Sequence, residues 1–319
     1  MSKQYVIGAD MGGTVTSFGI VDARGNILHQ GSVGTNIYAT GKEYVKALCD
    51  GINQLINDSG LEGQIKGIGL GAPQGNMYTG TIENTANISW ANKTAVPLAE
   101  MITELTDLPC RLTNDANAAA IGEMMYGAAR GMKDFIVITL GTGVGSGIVC
   151  NGSLVCGHDG FAGELGHVII RRNGRSCGCG RCGCLETYTS ATGVARTTKE
   201  FLENKNNNSI LRNITDRSIT SKDVFDAAEK GDKIALEIFE YTGRILGEAF
   251  ADFIAFSSPE AIILFGGLAK SGSYLMNPIR KAIDENVLHV FKGKTKLKLS
   301  ELPDADAAIL GASALAWES

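Results

Sequence analysis

The sequence predicts an α/β protein of two related lobes, each carrying an anion-binding hairpin, with a zinc-binding loop in the second lobe. Three observations support that expectation. A strand, glycine turn, strand unit occurs twice, so that Gly19-Ile20-Val21 corresponds to Gly147-Ile148-Val149 about 128 residues on. The segments between carry apolar residues at helical spacing. One histidine, His167, precedes four of the chain's eight cysteines by only ten residues.

Taken in order, Tyr5 to Ala9 is a buried-strand run that ends on Asp10-Met11-Gly12-Gly13-Thr14, followed by a second strand, Ser17 to Val21, and a turn over Asp22 to Asn26. Amides freed by Gly12 and Gly13, with the Thr14 hydroxyl, suit phosphate oxygens, and Asp10 sits where it could hold a metal-bound water. A plain type I′ hairpin explains the same residues. A helix follows, with Tyr44, Leu48, Ile52, Leu55 and Ile56 as its core face. The strand Ile65 to Leu70 ends in Gly71-Ala72-Pro73-Gln74-Gly75-Asn76, and a polar loop leads to Asn87-Ile88-Ser89-Trp90. There an amide and a ring either meet a ligand or anchor the loop. Leu98, Met101, Ile102 and Leu105 mark a second core-facing helix. After the strand Cys110 to Leu112 comes Asn114-Asp115, where Asp115 is either a helix N-cap or a catalytic base.

The second unit repeats the design: strand Phe135 to Leu140, glycine loop Gly141-Thr142-Gly143-Val144-Gly145, strand Ser146 to Val149 and a turn at Asn151-Gly152. Its recurrence lends weight to the first loop and places two related halves across a cleft. Gly143-Val144-Gly145-Ser146-Gly147 lacks dinucleotide spacing, which disfavours a zinc-dependent, NAD-using oxidoreductase; Gly293-Lys294-Thr295 has Leu288 where a Walker loop needs glycine. Further on, Asn204 to Asn208 reads as an exposed loop, and Ala235 to Ser257 as a long helix that Gly243 and Gly247 let pack closely. The strand Ala261 to Phe265 breaks at Gly266-Gly267, where a flat ring could lie on backbone. Gly311, inside the last helix from Ala305 to Trp317, costs roughly 1 kcal/mol against Ala and implies a close contact with ligand or helix.

Between Gly163 and Glu186 the cysteines read as thiolate ligands of zinc, with turns supplied by Gly174, Gly178, Gly180 and Gly183. Disulfides between thiols so close in sequence would be strained. Cys179-x-x-Cys182 as an exchange-active dithiol is the alternative. A zinc ion closed by four protein ligands is structural, and here it would stiffen a loop bracketed by Glu164 and Glu186. Two carboxylates and an imidazole suit a polyhydroxylated small molecule; two surface glutamates beside a metal loop is the plainer reading.

With 319 residues, 44% hydrophobic and 20% charged, the chain is long enough for two domains. A net charge of −5, with no basic run expected to offset it locally, argues against nucleic-acid binding. The start, MSKQYVIGAD, is neither a signal peptide nor an anchor, and no apolar run is long enough to cross a membrane, so a cytoplasmic protein is expected. Forty-one glycines against six prolines point to frequent tight turns or close approaches.

Set side by side, DxGGT at Asp10, APxG at Ala72, NxxW at Asn87, NDANAAAxGE at Asn114, LGTGxGxG at Leu140, GExGH at Gly163 and CGCGxxGCLE at Cys177 resemble the ROK family of sugar kinases and repressors over nearly the whole chain. The resemblance implies a duplicated actin/hexokinase-like (ribonuclease H-like) fold, with a small lobe of residues 1–114 plus 303–319 and a large lobe of 115–302. It implies Asp115 as catalytic base, and Gly75, Asn87, Asn114, Asp115, Glu164, His167 and Glu186 as sugar contacts. ATP would meet Asp10, Gly12, Gly13, Thr14, Gly141, Thr142, Gly143, Gly266, Gly267 and Gly311, with Mg²⁺ as the accompanying ion. Zinc would be held by His167, Cys177, Cys179 and Cys184, leaving Cys182 a free thiol. Gln74 departs from the family pattern, which often has glycine there. No helix-turn-helix precedes Asp10, which favours the kinase branch, and Cys184-Leu185-Glu186 running on to Ser190 looks like the glucokinase pattern. The implied reaction is phosphorylation of glucose to glucose 6-phosphate by a homodimer. Alternatives are another hexose (N-acetylmannosamine, N-acetylglucosamine, fructose, mannose or allose) or a non-catalytic sugar-sensing regulator.

Overall fold

A computed structural model of the chain describes residues 3–85, 87–204, 207–303 and 306–317. They divide into two compact units. Unit 1 takes the described residues of Met1–Met132, Leu154–Gly163 and Glu301–Ser319; unit 2 takes those of Lys133–Ser153 and Glu164–Ser300.

Unit 1 begins with β1 (Tyr5–Met11), β2 (Val15–Asp22), β3 (Ile27–Gly34), α1 (Gly41–Ser59) and β4 (Ile65–Gly71). It continues through β5 (Gly75–Asn76), β6 (Thr81–Glu83), β7 (Ala95–Val96), α2 (Leu98–Thr106), β8 (Cys110–Thr113) and α3 (Asp115–Tyr126). Its main sheet has the order β3-β2-β1-β4-β8, while β5, β6 and β7 form a small sheet of their own. β1 pairs antiparallel with β2 and parallel with β4, and β4 pairs parallel with β8. α1 forms where a capping box operates: Thr40 accepts from the Glu43 amide while Glu43 reaches back to the Thr40 amide, and Gly60 closes the helix at φ 67°. Tyr44, Leu48, Ile52 and Ile56 are buried as the spacing predicts, and Leu55 is partly buried. On α2, Leu98 and Ile102 are buried, but Leu105, in the last turn, is 51% exposed.

Unit 2 contains β9 (Phe135–Leu140), β10 (Val144–Cys150), the first residue of β11 (Ser153–Leu154), α4 (Glu186–Thr189), α5 (Ala191–Asn204), α6 (Ser221–Glu229), α7 (Lys233–Ser257), β12 (Ala261–Phe265), α8 (Ser273–Asn286) and β13 (Lys296–Leu299). The sheet order is β11-β10-β9-β12-β13, with β9 antiparallel to β10 and parallel to β12. The two main sheets therefore share one strand order, in which a central strand has an antiparallel hairpin on one side and parallel strands on the other. The glycines of α7 admit α8: a Cβ on Gly243 would lie 2.6 Å from Pro278 Cγ, and one on Gly247 would lie 2.5 Å from Ala282 Cβ.

The chain returns to unit 1 in α9 (Ala307–Trp317), whose backbone lies directly on the first sheet. A Cβ on Gly69 would come within 1.9 Å of the Ala312 carbonyl oxygen, and one on Gly8 within 2.1 Å of that of Ile309. Gly311 packs on α3, where its Cβ would stand 2.9 Å from the Ala118 oxygen. Helix packing thus accounts for that glycine, and unit 1 runs on through α3 to Met132 rather than breaking after Asn114. Asn204, Asn207 and Asn208 are exposed; Lys205, Asn206 and the expected helix start at Ala305 lie outside the described residues. No helix among the described residues is long and apolar enough to cross a membrane.

Candidate active site

In unit 1 the strand register assembles the candidate residues at the carboxyl ends of parallel strands, where open α/β sheets present their ligand sites. Asp10 pairs across to Gly71, and Gly71 to Thr113, which leads straight into Asn114 and Asp115. A Cβ built on Gly71 would lie 3.8 Å from Asp10 Oδ1 and 3.9 Å from Asp115 Cα, so the two acidic residues flank one position. Asn114 is the N-cap of α3, accepting from the Asn117 amide at 2.6 Å. Asp115 is relieved of capping duty. Its Oδ1 accepts from the Ala116 amide at 2.9 Å, and solvent reaches the residue. Protein nevertheless crowds the carboxylate closely enough that desolvation raises its pKa against the pull of that hydrogen bond. Asp10, more deeply set, is pushed up to about 6, first by burial and then by the charge of Asp115.

The first glycine loop is tighter than its sequence suggests. The Gly12 amide donates to the Val15 carbonyl at 3.1 Å, closing the hairpin, so it is not free for an anion. Gly13 lies beside Asn87, with 3.7 Å separating its would-be Cβ from that residue's Cβ, and Thr14 is exposed. Asn87 is itself exposed, its carbonyl held by Asn36 Nδ2 at 3.2 Å. Trp90 anchors the loop: its ring stacks on Tyr44 at 4.9 Å and its indole N–H donates to the Thr35 carbonyl at 3.0 Å. Gly75 is buried, and a Cβ there would stand 2.5 Å from the Thr113 oxygen, so glycine permits β5 to approach the end of β8. Gln74 adopts φ 53°, a left-handed conformation that glycine takes without strain.

In unit 2, Gly141 and Gly267 have no neighbour within 4 Å of a would-be Cβ, which leaves an open Cα face at the ends of β9 and β12, although the Gly141 amide donates to the Gly143 carbonyl at 3.0 Å and its carbonyl accepts from the Ala191 amide at 2.8 Å. Gly266 needs its φ of 100°, and its would-be Cβ lies 2.8 Å from the Leu140 oxygen. Thr142 is exposed, and its carbonyl accepts from the Thr192 hydroxyl at 2.8 Å. A Cβ on Gly143 would come within 2.4 Å of Glu186 Oε2. That oxygen accepts from the Val144 amide at 2.9 Å, and Oε1 accepts from the Cys177 thiol at 3.7 Å. Glu164 begins a short turn whose Leu165 amide donates to Ser146 Oγ at 3.0 Å, which seats it on β10. Its Oε2 stands 4.0 Å from His167 Nε2.

One ligand atom each from His167, Cys177, Cys179 and Cys184 falls within 4.8 Å of the others. Tetrahedral zinc with bonds of about 2.3 Å to sulfur separates its ligands by roughly 3.8 Å. Cys179 Sγ to Cys184 Sγ is 3.7 Å, as is Cys177 Sγ to His167 Nδ1. The donor set and spacing fit zinc, which would take Nδ1 of His167 and leave Nε2 on the side of Glu164. At Cys179 partial desolvation works upward, but hydrogen bonds from the Arg181 amide and guanidinium outweigh it and bring the thiol down to about 6. Cys182 is exposed and outside the cluster. Of the four expected turn glycines only Gly180 and Gly183 have positive φ; Gly174 makes room for the Tyr188 hydroxyl, and Gly178 faces open space.

Sequence reasoning missed Arg175. Its buried guanidinium donates to the Thr187 carbonyl at 2.8 Å, the Gly193 carbonyl at 3.3 Å and Thr197 Oγ1 at 2.9 Å, and lies 4.5 Å over the Tyr188 ring. It pins the cysteine loop to α4 and α5. The expectation that no basic run offsets the net negative charge is corrected by Lys292, Lys294, Lys296 and Lys298, four lysines in seven residues that make a local positive stretch. A cavity of about 870 Å³ opens between α1 and α2, lined by Lys42, Cys49, Val96, Pro97, Met101 and Leu105 among others; it contains none of the candidate residues.

The profile of the ROK family matches residues 6–319. A glucokinase of Halalkalibacterium halodurans is 37% identical over 98% of this chain and 94% of its own length. The crystal structure of a ROK family glucokinase from Streptomyces griseus, in complex with glucose and AMPPNP, is similar with a TM-score of 0.79 and 31% identity, over 99% of this chain and all of that one. A ROK family transcriptional regulator, a homologue of the E. coli MLC protein, is similar with a TM-score of 0.86 and 25% identity, over 99% of this chain and 78% of that one.

Proposed function

The chain belongs to the ROK family, and from that premise we propose that it transfers the γ-phosphoryl group of ATP to the 6-hydroxyl of glucose. The observation that carries the reading is Asp115: it stands at the carboxyl ends of the parallel strands, is reached by solvent, and is freed from capping because Asn114 caps α3. In this reading Asp115 accepts the hydroxyl proton as the bond from O6 to phosphorus forms and the bond to the leaving ADP breaks. Its raised pKa suits that task, since a base nearer neutrality takes a proton more readily in the transition state.

Asn87, Asn114, Glu164, His167 and Glu186 would contact the sugar, with hydroxyls donating to the carboxylates. Gly75 would shape the pocket through backbone. Gly13, Thr14, Gly141, Thr142, Gly143, Gly266 and Gly267 would line the nucleotide, and the open Cα faces at Gly141 and Gly267 support that assignment. Gly12 would act by closing the hairpin. Mg²⁺, held through water by Asp10, would neutralise phosphate oxygens. Zinc held by His167, Cys177, Cys179 and Cys184 would be structural, fixing the backbone that presents Glu164 and Glu186. A cytoplasmic homodimer, which the family resemblance implies, completes the reading.

The likeness to a transcriptional regulator favours one second reading, sugar sensing without catalysis. A coupled ADP-release screen over glucose, mannose, fructose, allose and the N-acetylated hexosamines, with ATP and Mg²⁺, separates the two. Glucose should give the highest kcat/KM. Turnover of a different hexose would replace the substrate, and turnover of none would favour the sensor.

A further inference from the structure

Within unit 1 the chain leaves β3 through Thr35 and Asn36, and these two residues fasten two loops at once. Thr35 is fully buried. Its amide donates to the Thr14 carbonyl at 2.8 Å, and its carbonyl accepts from the Trp90 indole N–H at 3.0 Å. Its hydroxyl shares a 2.9 Å hydrogen bond with that of Thr16, which shares one of 2.8 Å with the hydroxyl of Tyr44, the ring on which Trp90 stacks. The first glycine hairpin and the loop from Asn87 to Trp90 are thus tied to a single buried residue.

Asn36 adds its side chain. Oδ1 accepts from the Ser89 amide at 2.9 Å and from Ser89 Oγ at 2.6 Å, while Nδ2 donates to the Asn87 carbonyl at 3.2 Å. The loop has other supports: Ile88 is fully buried, its amide donates to the Thr85 carbonyl at 3.4 Å, and its carbonyl accepts from the Ala91 amide at 3.1 Å. Those bonds hold Ile88, whereas Asn36 holds the residue on either side of it. The Asn87 carbonyl so held lies 3.7 Å from where a Gly13 Cβ would stand, against the glycine hairpin. We infer that Asn36 is a positioning residue for hexose binding: by clamping the backbone at Asn87 and Ser89 it sets how the exposed Asn87 side chain is presented to the sugar. The inference rests on the proposed sugar-kinase reading, in which Asn87 contacts the hexose.

Asn36→Ala and Ser89→Ala test it, singly and together; both side chains are exposed, so folding is preserved. Losing the three hydrogen bonds of Asn36 should raise the glucose KM about ten-fold, and losing Ser89 Oγ alone about two- to five-fold. Because Asn36 acts through the loop, the double variant should match Asn36→Ala instead of multiplying the two effects. The ATP KM and kcat should stay within about two-fold, since Thr35 holds the hairpin through its own backbone. Hydrogen–deuterium exchange reads the clamp without turnover: amides from Asn87 to Trp90 should exchange faster in Asn36→Ala, while those from Gly12 to Thr16 keep the wild-type rate. A raised KM in Asn36→Ala with Ser89→Ala silent and exchange over 87–90 unaltered would put Asn36 itself on the sugar, and the positioning role would be wrong. An active wild type beside an Asn36→Ala variant of unchanged glucose KM overturns the inference alone. Wild type that neither turns over nor binds any hexose overturns the kinase reading, and the inference falls with it.

Discussion

Glu186 Oε2 and the Val144 amide are joined by a 2.9 Å hydrogen bond, which ties the helix that follows the cysteine loop to the second glycine loop. The bond exists because residue 143 is glycine, whose missing Cβ would otherwise lie 2.4 Å from the same oxygen. Gly143 has no positive φ, so Gly143→Ala is tolerated by the backbone and acts by displacing the Glu186 carboxylate. A hydrogen bond to a charged group contributes about 1.5–3 kcal/mol, so Glu186→Ala should lower kcat/KM for hexose about 10- to 100-fold, with Gly143→Ala showing part of that loss. Steady-state kinetics on both variants check this. An alanine at 143 without kinetic effect would mean that the glycine serves some other purpose.

Asp115→Asn keeps the side chain's shape and its Oδ1 acceptor for the Ala116 amide, while removing the ability to take a proton. Turnover should fall by roughly 10²- to 10⁴-fold, the usual worth of a general base. Glucose affinity measured by calorimetry should stay within a few-fold of wild type. Wild-type turnover in this variant would exclude Asp115 as the base.

Those two sites differ in how far the sequence exposes them. The duplicated hairpin was legible because glycine turns bracket each copy at matching places, whereas the parallel strands beside it, which complete the shared strand order, carry no matching local pattern. Asp115 was ambiguous, since Asn and Asp cap helices about equally well, and only the geometry assigns the cap to Asn114. Gly311 could not be read from sequence, because one glycine inside a helix does not reveal whether ligand or another helix fills the space; here α3 does. Arg175 left no local signal, since two of its partners are carbonyls 12 and 18 residues away. The bonds from Asn36 to Asn87 and Ser89 span 51 and 53 residues and are equally invisible to local pattern.

Asp10 makes stability depend on pH. Its folded-state pKa of about 6 lies above the 3.8 of an unconstrained aspartate, so between those values the folded protein holds more protons than the unfolded chain. Stability from this group is thus complete below the lower value and is lost as pH rises through the upper one. Asp10→Asn removes the charge, so its melting temperature should exceed that of ligand-free wild type near pH 7.5, with the difference shrinking toward about pH 4. Asp115 shifts in the same direction, so some slope should remain in the variant. Melting curves across that range decide the point: a difference that does not vary with pH would rule out Asp10 as its origin.

The cysteine loop offers the sharpest separation of roles, because one of its cysteines stands apart. Cys177, Cys179 and Cys184 join His167 within 4.8 Å, whereas Cys182 is exposed and excluded. Metal binding in such loops contributes directly to folding free energy. Elemental analysis should therefore find about one zinc per chain in wild type and in Cys182→Ser, and a marked loss in Cys177→Ser and Cys184→Ser. Those two variants, and wild type stripped by a chelator, should melt at lower temperature and show a raised glucose KM, since in the proposed reading zinc would fix the backbone that carries Glu164 and Glu186. Cys182→Ser should match wild type in all three measurements. An exchange-active Cys179–Cys182 dithiol makes the opposite prediction: Cys182→Ser would change activity under oxidising conditions, and zinc content would be low throughout. A verified zinc-free protein that keeps its sugar affinity would separate the metal from sugar binding, leaving Arg175 and its carbonyl partners to hold the loop.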